Sequence, residues 1–282
     1  MRRFTLFEFC DLEPGSPLGF LGELTPAFLA AAFSLTRWYR VAATPLAQAL
    51  RRCAATQVLD LGSGSGGPLP LLQRTLHQEH DLRIAVRLSD RVPQPTAWQA
   101  LSQAAAVGTA GAADDLAGIP EPVDATAVPA HVPGFRTLFQ SFHHLSPTQA
   151  QAVLQDAVRK RVGIALFENT HRRLLPTIPL LFVPFAVLLF TPFIRPLSLR
   201  RLFLTYVVPL APLVVLWDAL VSALRSYTPT ELRQLTGALV YDGVSYDWEQ
   251  GRAWQGLQCV SWLIGTPKAG RAISDPGKPS VT

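Results

Sequence analysis

Residues 58–67 read Val-Leu-Asp-Leu-Gly-Ser-Gly-Ser-Gly-Gly, "VLDLGSGSGG", and the fold of the chain is decided there. "TQVLDLG" is a short apolar run of strand length ending in glycine, and "PLPLLQRTLHQEH" behind it has the spacing of an amphipathic helix. A strand, a turn of Gly62, Gly64, Gly66 and Gly67, and a helix together let a ligand approach bare backbone at a helix N-terminus. Gly62-x-Gly64-x-x-Gly67 also satisfies the dinucleotide fingerprint. The centre of the turn is Gly64 rather than serine, which excludes a nucleophile elbow.

Outward from the turn the same alternation repeats. "LRIAVRLSD" reads as a second strand, "QPTAWQALSQAAA" as a helix, "VDATAVP" as a short strand end and "GFRTLFQSF" as a strand. "SPTQAQAVLQDAVRK" is a helix capped by Ser146, and "VGIALFE" is a strand of continuous apolar character, as an interior parallel strand should be. The Ala/Gly-rich "VGTAGAADDLAGIPEP" reads as a loop. "LTPAFLAAAFSLTRWYR" and "TPLAQALRRC" place Pro after Thr, so helices are expected near 26–40 and 45–53 with threonine caps. "TPTELRQLTG" is a capped helix, and "VSYDWEQ" and "LQCVSWLIG" are strands near enough to pair antiparallel. The expectation is an α/β fold, a doubly wound and mostly parallel sheet.

The carboxylate of Asp60 stands at the end of the first strand, where it opposes a pyrophosphate and favours an ammonium or sulfonium. At this point the sequence resembles the class I S-adenosyl-L-methionine-dependent methyltransferases. Their first motif, (D/E)-x-G-x-G-x-G, is matched by Asp60-x-Gly62-x-Gly64-x-Gly66. The resemblance covers roughly 55–170 and 226–265. It implies a seven-stranded Rossmann-like sheet whose C-terminal strand pair is antiparallel, with S-adenosyl-L-methionine as cofactor. It assigns Asp60 and the turn, with Ser63, to the methionine part, Asp90 in "RLSD" to the ribose, and Asp124 with Ala125 to the adenine side. Ser141 opens "SFHHLSP", a stretch similar to one after the fourth strand of many members, and joins the cofactor set. A second reading stands beside each acid: loop-amide bonding for Asp60, a helix cap for Asp90 and an Asx turn for Asp124. A dinucleotide enzyme also wants an acid at Asp90.

Methyl transfer is an in-line displacement in which alignment supplies most of the acceleration, so a base is needed only for a protonated acceptor. His143, His144 and Glu168 are the candidates, because they follow the fourth and fifth strands, where a doubly wound sheet puts its reaction site. A histidine pair in such a turn also serves packing or capping. "HQEH" at 77–80 is not a zinc-protease motif, and no metal is expected.

After the fifth strand, Leu174–Ile194 is a run of twenty-one uncharged residues, about 31 Å as one helix, the thickness of a bilayer core. "LFLTYVVPLAPLVVLWDALVSAL" follows, interrupted only by Asp218. Seven prolines (176, 179, 184, 192, 196, 209 and 212) suit lipid-facing helices better than soluble ones. Arg172, Arg173, Arg195, Arg200, Arg201 and Arg225 bracket the runs. An inserted apolar helical hairpin is therefore expected, touching lipid through 174–224 and presenting a lipophilic acceptor. Asp218 and the arginines argue for a shallow, interfacial pose. A soluble apolar cap remains the other reading.

Composition agrees: charged residues are only 16% of the chain and the formal net charge is +5. No basic stripe interleaved with aromatics is present, so no nucleic-acid partner is expected. Cys10, Cys53 and Cys259 make neither a disulfide framework nor a metal pattern, which points to a reducing compartment. Glu8, Asp11 and Glu13 interrupt any apolar signal core at the N-terminus. The expected location is cytoplasmic, at the inner face of the cell membrane. The expected organisation is an N-terminal helical cap (1–54), an α/β core (55–170), the apolar insertion (171–225), completion of the core (226–265) and a flexible tail (266–282). Two other functions stay open: a membrane-associated binding or assembly protein without turnover, and an NAD(P)-dependent oxidoreductase.

Overall fold

The computed structural model describes residues 6–12, 15–106, 115–172, 178–195, 197–256 and 258–268. Its strands are β1 (Gln57–Leu61), β2 (Ala85–Ser89), β3 (Leu116–Gly118), β4 (Phe135–Phe139), β5 (Ile164–Glu168), β6 (Tyr246–Gln255) and β7 (Gln258–Pro267). They form one seven-stranded sheet in the order β3-β2-β1-β4-β5-β7-β6. β1 to β5 are parallel, and β7 runs antiparallel to both β5 and β6. This is the doubly wound sheet with a C-terminal antiparallel pair that the resemblance implies.

Side-chain alternation along the strands builds two cores. Val58, Phe139 and Phe167 face one, while their neighbours Leu59, Leu138 and Leu166 face the other. The first core is covered by α3 (Ala43–Arg52), α4 (Leu69–His80) and α5 (Pro95–Ala106), the second by α6 (Pro147–Arg159) and α10 (Pro229–Gly237). Ser146 and Thr228 close reciprocal capping boxes with Gln149 and Glu231, as their sequences require.

Three expectations need correction here. The third strand lies in the stretch read as a loop, at Leu116–Gly118, whereas "VDATAVP" is a turn. Residues 107–114 of that stretch lie outside the described residues. Thr25 and Thr44 do not cap: α2 (Leu24–Thr36) and α3 begin a residue or more earlier, after a four-residue α1 (Gly19–Gly22). A 3-10 turn at Trp38–Ala42 separates α2 from α3.

The apolar block is not a pair of long helices. It is divided into a 3-10 turn at Ile178–Phe182, α7 (Val183–Phe190), another turn at Thr191–Phe193, α8 (Leu199–Tyr206) and α9 (Leu210–Arg225). Prolines mark the divisions: Pro184 in the first turn of α7, Pro192 in the following turn and Pro209 at the cap of α9. Leu174–Thr177, the start of the expected span, lies outside the described residues. Among those described, no single helix is long and apolar enough to cross a membrane; α8 with α9 has the length and composition but is bent by 82°.

These short helices join the N-terminal ones. Leu21, Leu24, Phe28 and Ala32 pack with Val187, Ala211, Val214 and Val215 in a third core, and Phe28 stacks on Phe190 at 6.2 Å. Asp218, read as a cost in lipid, is fully buried in protein. It accepts hydrogen bonds from the Phe9 amide (2.6 Å), the Cys10 amide (3.1 Å) and the Thr25 hydroxyl (2.6 Å).

Candidate active site

The glycine turn follows β1 directly. Gly62, Gly64, Gly66 and Gly67 all have positive φ, and a Cβ on Gly66 would stand 2.0 Å from Leu101 Cδ1. Parallel pairing sets Leu61 beside Ser89 and Asp60 beside Thr137, so polar groups of three strands meet at the turn. Asp60 is 1% exposed; its Oδ1 accepts from Thr137 Oγ1 and its Oδ2 from Ser63 Oγ, both at 2.7 Å. Burial pushes its pKa up to about 7, against the two hydroxyls that pull it down, with Asp90 adding repulsion. Asp60 is thus an internal brace behind the turn, not a charge at its mouth.

Asp90 takes the mouth instead. Its Oδ2 accepts from the Gly64 amide (2.8 Å) and its Oδ1 from the Val92 amide (2.9 Å). The Val123 amide donates to the Asp90 carbonyl (2.9 Å), which brings Asp124 and Ala125 alongside. Asp124 is exposed and closes an Asx turn on the Thr126 amide (2.8 Å) and hydroxyl (2.7 Å); the hydroxyl and then the amide hold its carboxyl below the usual range. Ser141 completes the wall: a Cβ on Gly62 would meet its Cβ and Oγ at 3.3 Å. The residues expected at a nucleoside sulfonium, Asp60, Ser63, Gly62, Gly64, Gly66, Asp90, Asp124, Ala125 and Ser141, therefore lie around one turn. Carboxylates and backbone amides suit such a cofactor; Asp90 alone suits a dinucleotide equally.

Next to Ser141 the chain makes a 3-10 turn, Phe142–His144, over the end of β5. Glu168 Oε1 accepts from the Phe142 amide (2.9 Å) and the His143 amide (3.3 Å), and its Oε2 pairs with His143 Nδ1 at 2.7 Å. His143 is 2% exposed. With Nδ1–H given to Glu168, Nε2 carries the ring's lone pair, the arrangement a general base requires. A cavity of about 20 Å³, enough for one water, adjoins the pair and is bordered by Leu166, Ser226, Tyr227 and Trp262.

His144 belongs to a different set. Its ring lies 4.2 Å from that of His143, but its Nδ1 faces Asp11 Oδ1 at 3.1 Å and Glu8 Oε2 at 3.6 Å. Arg225 Nη1 reaches Glu8 Oε1 (3.0 Å) and Asp11 Oδ2 (2.9 Å), and Glu8 is fully buried. Burial opposes a charged imidazole, yet the Asp11 hydrogen bond and the two acids prevail and raise the His144 pKa. Glu8, Cys10 and His144 come close enough to hold a metal ion. Arg225 already supplies the counter-charge there, and burial with the surrounding acids pushes the Cys10 thiol far up.

Sequence reasoning missed several contributors. Thr137 was visible as the lone hydroxyl in β4, Phe-Arg-Thr-Leu-Phe. Trp98 donates from Nε1 to the Gly64 carbonyl (2.9 Å), and Tyr39 donates to Gln140 Oε1 (3.1 Å) just before Ser141. Neither carries a local signal, since both act across the fold.

No protein-family model matches the chain, and no curated protein matches its sequence. Solved structures with similar backbones include three methyltransferases. The methyltransferase domain of bacterial CtHen1 is 12% identical, with 81% of this chain and 98% of that one covered and a TM-score of 0.45. The plantazolicin methyltransferase bound to S-adenosylhomocysteine is 11% identical (88% and 98% covered, TM-score 0.47). An O-methyltransferase from neocarzinostatin biosynthesis, bound to S-adenosylmethionine and a naphthoic acid, is 14% identical (87% and 57% covered, TM-score 0.46). This chain thus spans little more than half the length of the last. The fold assignment rests on the sheet order itself.

Proposed function

We propose that the chain is an S-adenosyl-L-methionine-dependent methyltransferase acting on a lipophilic acceptor that carries a proton on the atom to be methylated. One observation carries the reading: Ser141 stands against Gly62 and leads directly into the Phe142–His144 turn, so the glycine turn and the His143–Glu168 pair are neighbours in the fold. When bound, the cofactor supplies a methyl already activated by positive sulfur. Asp90 and the loop amides would hold the nucleoside, and Asp124 with Ala125 would border the adenine. His143 Nε2 takes the acceptor's proton, while Glu168 fixes the ring and balances the imidazolium.

The acceptor's lipophilic character is inferred from the helical layer above. Phe182, Phe185, Leu189, Phe193, Leu199 and Val207 are more than half exposed, Leu199 at 86%, with Arg195 and Arg200 among them. Apolar area on this scale marks a surface made for another apolar phase. The inner face of the cell membrane, touched without spanning it, fits both the short helices and the arginines. No nucleic acid is part of the reading.

Calorimetry with S-adenosylhomocysteine and with NADH tests the cofactor: binding of the first alone is expected. Binding of NADH alone would replace the reading with the oxidoreductase one. Radiolabelled methyl transfer into a membrane lipid extract tests turnover. No transfer, with the cofactor bound, would leave a binding protein. Flotation with phosphatidylcholine vesicles tests the layer: the wild type should float, and Phe185→Ser with Leu189→Ser should not. A wild type that stays in the soluble fraction removes lipid contact from the reading.

A further inference from the structure

We propose that the concavity between the Trp38–Ala42 turn and α4 binds a phosphate group. It measures about 200 Å³, and its polar lining is Arg37, Arg40, Arg74, Thr75, Gln78 and Glu79. Three guanidinium groups face one carboxylate. Glu79 is matched by Arg40 (2.7 Å), and Arg74 Nη2 makes a long bond to the Ala104 carbonyl (3.3 Å). Each guanidinium has five N–H donors in a planar fork, so among the described residues these two bonds occupy only a small part of that capacity in an exposed, concave site. The excess of two positive charges matches a phosphate monoester dianion. Paired forks suit its oxygens better than they suit a single carboxylate.

A structural explanation covers only part of this cluster. Arg37 is the left-handed C-cap of α2, where a cation favours the helix dipole. Arg40 lies in the last turn of the Trp38–Ala42 3-10 helix, and Arg74 reaches from α4 to the Ala104 carbonyl in the last turn of α5, so each helix end engages one donor and not the whole fork. The position is informative. Between Arg37 and Arg40, Tyr39 turns inward and holds Gln140, whose Oε1 also accepts from the Asn169 amide (2.7 Å). Those residues leave β4 and β5 at the candidate active site. α4 itself begins two residues after the glycine turn. An occupant would therefore touch the outer side of two elements whose inner sides pack in the first core, one tied through Tyr39 to the strand ends and the other starting just behind the glycine turn. As a subsite for a phosphate-bearing acceptor or lipid, it rests on the methyltransferase reading; as an anion site it does not.

The test uses full-length protein and inorganic phosphate in calorimetry. Saturable binding is expected, weakened at least tenfold by Arg37→Gln with Arg74→Gln. Arg52→Gln, which breaks an exposed pair with Glu249 elsewhere, should leave it unchanged. Flotation with phosphatidylcholine vesicles, with and without phosphatidic acid, separates the sources. Extra retention on phosphatidic acid that inorganic phosphate reverses identifies a lipid headgroup, and phosphate binding without that preference identifies a soluble phosphoester. Absence of saturable phosphate binding, or equal affinity in the double variant, overturns the proposal. S-adenosylhomocysteine affinity is measured on the same samples. Its absence in the wild type would count against the methyltransferase reading alone.

Discussion

The contacts that shape the glycine turn and those that fix the helical layer differ in their reach along the chain. At the turn, Asp60 binds Ser63 three residues away, Asp90 binds Gly64 twenty-six away, and Thr137 arrives through the register of adjacent strands. In the layer, Asp218 meets Phe9 across 209 residues and Thr25 across 193. Glycine spacing and the register of adjacent strands, with Thr137 seventy-seven residues from Asp60, shape the first region; the second is assembled only when the two ends of the chain meet. The comparison implies that the layer can loosen while the turn stays intact, and Asp218→Ala tests it most strongly. It orphans two amides and a hydroxyl, at a cost of about 3 kcal/mol in the layer. Hydrogen exchange at Phe9 and Cys10 should rise accordingly, with S-adenosylhomocysteine affinity within about twofold of wild type. Unchanged protection would mean that the carboxylate does not anchor the segment. Lost cofactor affinity would mean that the two regions act as one.

The opposite substitution sharpens the same contrast. Gly66→Val places a β-branched side chain at φ +117° and crowds Leu101, so the turn must deform. S-adenosylhomocysteine affinity should fall at least tenfold, while amide protection of Phe9 and Cys10 is retained. If both fall together, the turn and the layer are not separable.

The reach of these contacts also explains what the sequence made legible. "DLGSGSG" was readable because its spacing is its geometry, and the continuous apolar run of β5 announced an interior strand. Leu-Ala-Gly of β3 has neither length nor apolar period, so it vanished into an Ala/Gly-rich stretch. Thr25 before Pro26 has the form of a cap, but a buried carboxylate far along the chain took its hydroxyl. The run 174–194 looked continuous because hydropathy ignores the proline that ends a helix. At the site, Glu168 and His143 were named from their strand ends, whereas their hydrogen bond needed the β4–β5 register. Glu8 and Asp11 were noticed only as charges interrupting an apolar start; their partners are Arg225 and His144.

That charge cluster gives the smallest effect and the most selective one. The groups facing His144 are Glu8, Asp11 and Arg225, with Cys10 beside Glu8. Its folded pKa is raised above the unfolded 6.5, so the protonated ring favours the folded state. That contribution is complete below pH 6.5 and is lost as pH rises through the folded value. Asp11, held below its usual range by His144 and Arg225 despite burial, titrates only at acid pH and does not interfere. Asp60 also loses stabilisation as pH rises, between 3.8 and about 7, but its effect falls on the turn. The layer and the turn are therefore distinguishable by where protection changes. Above pH 6.5, protection at Phe9 and Cys10, corrected for intrinsic exchange, should fall as pH rises. Asp11→Asn removes the hydrogen-bonded acid of the two that raise the imidazole and should reduce this slope, whereas Asp60→Asn should leave it intact. Equal slopes in wild type and Asp11→Asn would remove His144 from the forces that hold the N-terminal segment over the site.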